Sequence, residues 1–339
     1  MLRGCWIMRQ SGRYLSSYQQ LKRTLSFEQL CKTPKLAARC ASLPLEEFSG
    51  LLDYAILFSD ILFVLEPLGF KVNFSPSTSA PIVERSAPLE QVPTAVSNEH
   101  FIASLHWIFE AIRETLNTVS VPLLAFAGSP LALLCFIVEG RSGASGCWKK
   151  SKQFLQSHPQ LAIQWLEMLT DKIIVLLKHE LNNYPIAGVQ VFDSTCFDMD
   201  LHLWERFSWP YLERIAASLS PTASDQKLFI YSRCPALGIK RLLAQSAFDV
   251  VSVDERLDLI ELVGFMRRFG ICKILQGPFD PSLLFASNEE ISQRVRGICE
   301  MFDEASIPFI VNLSNGIVPE AREEKVRFFL SCVQDQRNQ

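Results

Sequence analysis

The chain has 339 residues, 48% of them hydrophobic and 20% charged, with a formal net charge of −3 and a pI near 6.0. This composition excludes a disordered or fibrous chain, and the lack of a basic surplus removes the electrostatic footprint of a nucleic-acid binder. The ten cysteines are scattered with no CxxC pair, so they read as free thiols of a reducing compartment rather than a disulfide framework.

In chain order, the opening MLRGCWIMRQSGRYL has no apolar core of signal-peptide length, so secretion is not expected. CWIMRQ (5–10) and AILFSD (55–60) read as strands. Pro67 to Pro93 is turn-rich and predicts a hairpin or an excursion over one end of the fold. His100 to Thr118 has helical spacing. The uncharged run from Pro122 to Val138 approaches the length of a membrane span. Gly128, Ser129 and Pro130 divide it into a buried strand, an N-cap and a helix start, so no span is expected.

The glycine- and serine-rich stretch 139–152, with Gly140, Ser142, Gly143, Ser145 and Gly146, reads as a lid or a plain connecting loop. Beyond it, helical patterns at Leu161 to Leu181, Leu201 to Leu219, Asp258 to Arg268 and Glu289 to Glu304 alternate with strand-like runs. Those runs are GVQVFDS (188–194), KLFIYSR (227–233), DVVSVDE (249–255), CKILQG (272–277) and PFIVNLSNG (308–316).

Alternating strands and helices require parallel pairing through right-handed crossovers. Seven or eight units predict an α/β fold, a single (β/α)8 TIM-type barrel spanning residues 1–339 as one domain. A doubly wound open sheet competes, but neither GxGxxG nor GxxxxGK[ST] occurs.

In such barrels the site lies at the carboxyl ends of the strands, which here carry Arg9, Asp60, Ser129, Ser194, Arg233, Asp254 and Asn315. Ser129 is better explained as an N-cap. Arg9 and Arg13 suit carboxylates, because a guanidinium donates two parallel hydrogen bonds and stays charged; a solvated basic terminus is the plainer reading. Asp60 either faces the mouth or caps the next helix, and Asp193 and Ser194 share that ambiguity. HExxH, GxSxG and zinc-type Cys/His clusters are missing, and the five histidines fall in helical or capping stretches.

These residues resemble the uroporphyrinogen decarboxylase family over nearly the whole chain. MRQSGRYLSSY (8–18) is similar to its amino-terminal signature, AILFSDIL (55–62) to its aspartate-bearing strand, and FAGSPLALLCFIVEG (126–140) to its central segment. VFDS (191–194), LQGPFDPSLL (275–284) and NLSNGI (312–317) match later family motifs.

The resemblance implies a cytoplasmic homodimer, without metal or organic cofactor and without a membrane or nucleic-acid partner. It would remove the four acetate carboxyl groups of uroporphyrinogen III as CO2, giving coproporphyrinogen III in haem biosynthesis. By this likeness Arg9, Gln10 and Arg13 bind substrate carboxylates, an arginine also being a candidate to handle the proton, and Asp60 sits beneath the pyrrole N–H groups. Phe58, Phe126 and Phe192 line the macrocycle pocket, Ser194 bonds a carboxylate, and Phe136 and Asn315 occupy substrate-binding positions.

Departures accompany the likeness. Phe136 stands where the family has tyrosine and Asn315 where it has histidine, and Glu255 and Pro278 also differ. The chain begins almost at the arginine motif, where the family carries a leading helix, which leaves room for a start upstream. Activity is expected, slower or with altered release of intermediates. Two other readings are a tetrapyrrole-binding relative without turnover and, more weakly, a zinc-dependent methyltransferase of the same barrel superfamily. The latter needs a His-x-Cys pair where this chain has Ser232-Arg233-Cys234.

Overall fold

The computed structural model describes residues 2–74, 81–85, 87–141, 147–219 and 225–337. Eight strands form one sheet: β1 (Leu2–Cys5), β2 (Ala55–Ile56), β5 (Leu123–Gly128), β6 (Gly188–Asp193), β7 (Lys227–Ser232), β8 (Val250–Ser252), β9 (Ile274–Phe279) and β10 (Phe309–Leu313). The remaining strands, β3 (Phe70–Asn73) and β4 (Ile82–Arg85), pair antiparallel as the hairpin expected in the turn-rich segment. The sheet order β1-β10-β9-β8-β7-β6-β5-β2 is the chain order of a (β/α)8 barrel, and every pair in it is parallel.

Burial on both faces explains the continuous apolar strands. In β6, Val189 and Val191 pack outward among the helices, while Phe192 joins Trp6, Met8, Leu124, Phe229, Tyr231, Val250 and Ile310 in the barrel interior. Polar atoms inside are mostly matched by hydrogen bonds. Gln276 Oε1 accepts from Trp6 Nε1 at 2.9 Å, and its Nε2 donates to Gln190 Oε1 and Ser252 Oγ, each at 2.8 Å.

The ends of the sheet, β1 and β2, meet through Asp53. Its backbone N–H donates to the Cys5 carbonyl at 2.8 Å, and its Oδ2 accepts the Cys5 N–H at 2.6 Å. Arg337, at the end of the helix Glu323–Arg337, holds the same carboxylate with both terminal nitrogens. Gln10 Nε2 donates to the Tyr54 carbonyl at 2.7 Å along this seam.

Several boundaries differ from the sequence reading. The first strand lies at Leu2–Cys5 rather than 5–10, with the Trp6 N–H extending the ladder to the Val311 carbonyl. The aspartate-bearing strand is confined to Ala55–Ile56. The helix expected over 100–118 is two, Asn98–Ser104 and His106–Thr118, with Leu105 between them. The one expected over 201–219 breaks at Ser208, because Pro210 lacks the N–H to continue it. Residues 142–146 of the lid-or-loop segment lie outside the described residues; a helix, Lys149–Ser157, follows them. Among the described residues no helix is long and apolar enough to cross a membrane.

Candidate active site

Two segments remote in sequence are stitched into one edge of the barrel mouth. The Met8 N–H donates to Asn312 Oδ1 at 2.9 Å, and the Ile317 N–H donates to the Met8 carbonyl at 3.1 Å. Directly after these two bonds of Met8, Arg9 adopts a left-handed backbone, φ 60°, which a side-chain-bearing residue rarely takes. Its side chain lies over Gly316, where a Cβ would come within 2.8 Å of Arg9 Cγ. Glycine is therefore needed for Arg9 to lie there. Arg9 and Arg13 are both exposed, and neither has a carboxylate within ion-pair distance among the described residues.

Asp60 is partly buried just beyond β2. Its Oδ1 accepts the Leu62 N–H at 2.9 Å, so it does make a local turn contact, while no protein donor reaches Oδ2 among the described residues. Burial raises its pKa from the ordinary 3.8 to about 6, opposed by the Leu62 N–H and the nearby Arg9 guanidinium. Of the two readings of Asp60, the helix cap is not realised, since Leu62 stands at the N-cap of the following 3-10 helix Phe63–Leu68 and Asp60 makes only a local turn contact to the Leu62 N–H.

Phe126 and Phe192 meet edge to face at the ends of β5 and β6, ring centroids 5.5 Å apart, and Phe192 lies 5.6 Å from Tyr231. Ser194 is half-buried at the start of the 3-10 turn Ser194–Asp198. Asn315 is exposed beside the Arg9 contact, its Oδ1 accepting the Gly316 N–H at 2.8 Å.

Three other candidates stand elsewhere. Phe58 is buried, with its ring contacts to Phe27 at 5.6 Å and Tyr18 at 5.8 Å rather than to Phe126 or Phe192. Phe136 packs edge-on against Trp148 at 5.1 Å. Gln10 is buried with its amide N–H turned to the seam, leaving Oε1 without a partner among the described residues.

Asp193 and Ser129 have structural work. Ser129 caps the helix Pro130–Glu139 by accepting the Ala132 N–H at 3.0 Å, and its hydroxyl donates to Asp193 at 2.7 Å. Fully buried Asp193 also accepts from Ser208 and Ser232 hydroxyls, each at 3.0 Å, and from Trp204 Nε1 at 3.2 Å.

Sequence reasoning did not single out Tyr231, Asn312 or Gly316. Tyr231 closes the aromatic wall, and its hydroxyl donates to the Ser314 carbonyl at 3.2 Å. Strand alternation in KLFIYS would have placed Phe229 and Tyr231 on one face, but apolar residues on both faces concealed which one. Across the mouth, Arg233 pairs with Asp254 at 3.3 Å and Glu255 at 2.9 Å, and Arg256 with Asp254 at 2.6 Å.

Comparisons with known proteins agree with this architecture. Solved structures described as a B12-independent methionine synthase from Shewanella sp. W3-18-1 and a putative vitamin-B12 independent methionine synthase from Listeria monocytogenes superpose with TM-scores of 0.51 and 0.53. They share 13% and 12% identity; the first match covers 89% of this chain and 87% of the other, the second 98% and 96%. At that distance they show the fold alone.

Sequence relatives are nearer. Uroporphyrinogen decarboxylase from Schizosaccharomyces pombe is 29% identical over 333 residues, covering 96% of this chain and 91% of the relative. The protein of the same name from Francisella tularensis subsp. novicida is 30% identical over 332 residues, covering 97% and 94%. The model for uroporphyrinogen decarboxylase (URO-D) matches residues 4–336, and the chain belongs to that family.

Proposed function

We propose that this chain decarboxylates uroporphyrinogen III to coproporphyrinogen III, with Asp60, Arg9 and Arg13 at the reacting centre. The observation that carries the reading is the pair of exposed arginines, Arg9 and Arg13, without ion-pair partners among the described residues, with a desolvated carboxylate near Arg9 that has one oxygen unclaimed among those residues. Family membership and the names of the relatives support it.

Each cycle adds a proton to the pyrrole α carbon next to the carbon that bears the acetate arm, making a cationic, iminium-like ring conjugated with that arm. The C–CO2 bonding pair then moves into that ring, CO2 leaves, the exposed methylene takes a proton, and the ring carbon loses one. The net change is one acetate and one proton converted into a methyl group and CO2. Asp60 Oδ2 is suited to accept pyrrole N–H bonds and stabilise the cation where little water screens it. Arg9 and Arg13 would anchor substrate carboxylates through charge-assisted bonds, with Gln10, Ser194 and Asn315 as further polar contacts. Phe126 and Phe192 present an apolar wall to the macrocycle; Phe58 and Phe136 would support the pocket from behind.

We further infer a cytoplasmic homodimer. The scattered free cysteines fit a reducing compartment, and exposed Leu237, Ile260 and Phe285, which follow β7, β8 and β9, give the mouth face an apolar rim that a second copy would cover. The zinc reading lacks support, since the described residues bring together no group of three or more metal-ligating side chains.

Replacing Arg9 or Arg13 with Gln tests the arginines. Each loses a charge-assisted bond, so KM for uroporphyrinogen should rise roughly 10- to 100-fold. Unchanged KM in both variants would contradict their role.

A further inference from the structure

Arg233, Asp254 and Glu255 end β7 and β8 at the mouth and have no part in the reading above. We propose that Arg233 is a third carboxylate-gripping arginine, and that Glu255 is an internal carboxylate holding its place until one from the substrate displaces it. The inference rests on the carboxylate-rich substrate proposed above.

The two acids differ in how they are held. Asp254 is buried and embraced by Arg256, whose Nε lies 3.0 and 3.1 Å from its two oxygens and whose NH2 lies 2.6 Å from Oδ2. The Arg256 N–H adds a bond to Oδ1 at 3.0 Å. Burial works against this carboxylate, but Arg256, helped by Arg233, holds its pKa below the usual range. It keeps a partner if Arg233 turns away. Glu255 is hydrogen-bonded only to Arg233 among the described residues, through one nitrogen at 2.9 Å. Its side chain is 30% exposed. Such a pair is weak, so exchanging one carboxylate for another at the same guanidinium costs little. A ligand already anchored elsewhere in the mouth has a high effective concentration at this guanidinium and wins that exchange.

Arg233 also stands beside aromatic rings. Its guanidinium carbon lies 6.0 Å from the centre of the exposed Phe197 ring. Burial pushes the Tyr231 phenol up, and both Arg233 and Arg9 pull against that shift, so the two arginines act on one ring of the aromatic wall.

The test titrates full-length protein with oxidised uroporphyrin, which carries eight carboxylates, and measures KM for uroporphyrinogen in parallel. Glu255→Gln should tighten porphyrin binding and lower KM about two- to fivefold. Arg233→Gln should weaken both at least about tenfold, and the double variant should behave like Arg233→Gln. Unchanged binding in Glu255→Gln overturns the proposal, as does a change in kcat without one in binding. If Arg233→Gln fails to fold, Glu255→Gln decides alone, because Arg256 keeps Asp254 paired. Wild-type protein that binds uroporphyrin but releases no CO2 would sink the decarboxylase reading, while the same titration would still decide this one.

Discussion

On the reading proposed above, Asp60 is a residue that gives up stability for chemistry. Its pKa is raised from 3.8 to about 6, so the folded protein holds this proton more tightly than the unfolded chain does. The associated stability is present in full below 3.8 and is lost as pH rises through about 6. At neutral pH the ionised carboxylate therefore costs the fold up to about 3 kcal/mol, at ~1.36 kcal/mol per pH unit. Asn retains an acceptor for the Leu62 N–H and removes the buried charge, so Asp60→Asn should raise Tm at pH 7 by a few degrees while abolishing most turnover. Over the same range, kcat/KM of the wild type should fall as pH drops below about 6, because the protonated acid no longer stabilises a cation. A lower Tm in the variant, or a rate indifferent to pH between 7 and 5, would contradict this account.

At the scale of elements, the Asp53 side chain reinforces a barrel seam that is also held by the Asp53 N–H on the Cys5 carbonyl and by Gln10 on the Tyr54 carbonyl. Asp53 pairs with the Cys5 N–H across the β1/β2 seam and ties in the C-terminal helix through Arg337. Asp53→Ala leaves that N–H unpaired and should cost about 1–3 kcal/mol in denaturant unfolding, with faster amide exchange at Cys5. Unaltered stability would show that the seam is held by other contacts. Nothing in the sequence marked Asp53, because a bond between residues 5 and 53 has no local signature. The strands beginning near 123, 188, 227 and 309 were legible, since long apolar runs bounded by polar ends leave few alternatives. The short β2 and the breaks at Leu105 and Ser208 were not, as helical periodicity runs across an interruption that only Pro210 hinted at.

Site residues follow the same division. Arg9, Asp60 and Ser129 were visible as motif or strand-end positions, and the structure places Arg9 near Asp60. The packing of Arg9 on Gly316 and the inward face of Tyr231 were hidden, because each depends on how distant strands align around the barrel. Phe58, read as a pocket residue from the family likeness, has its ring partners Tyr18 and Phe27 on the neighbouring segments 16–22 and 27–32.

For the whole molecule, a net charge of −3 would repel a substrate bearing eight carboxylates, and the proposed reading assigns the local attraction to Arg9, Arg13 and Arg233. The apolar residues on the same rim predict sedimentation as a dimer of the 38.4 kDa chain; a monomer at micromolar concentration would remove that part of the proposal. The central claim is tested most directly by anaerobic incubation with uroporphyrinogen III. Aliquots are oxidised, and the eight- to four-carboxyl porphyrins are separated by chromatography, with Asp60→Asn run beside the wild type. The account predicts four-carboxyl product from the wild type and a loss of roughly 10²- to 10³-fold in the variant. Unchanged eight-carboxyl substrate from a folded, porphyrin-binding wild type would contradict it and leave a tetrapyrrole-binding protein without this chemistry.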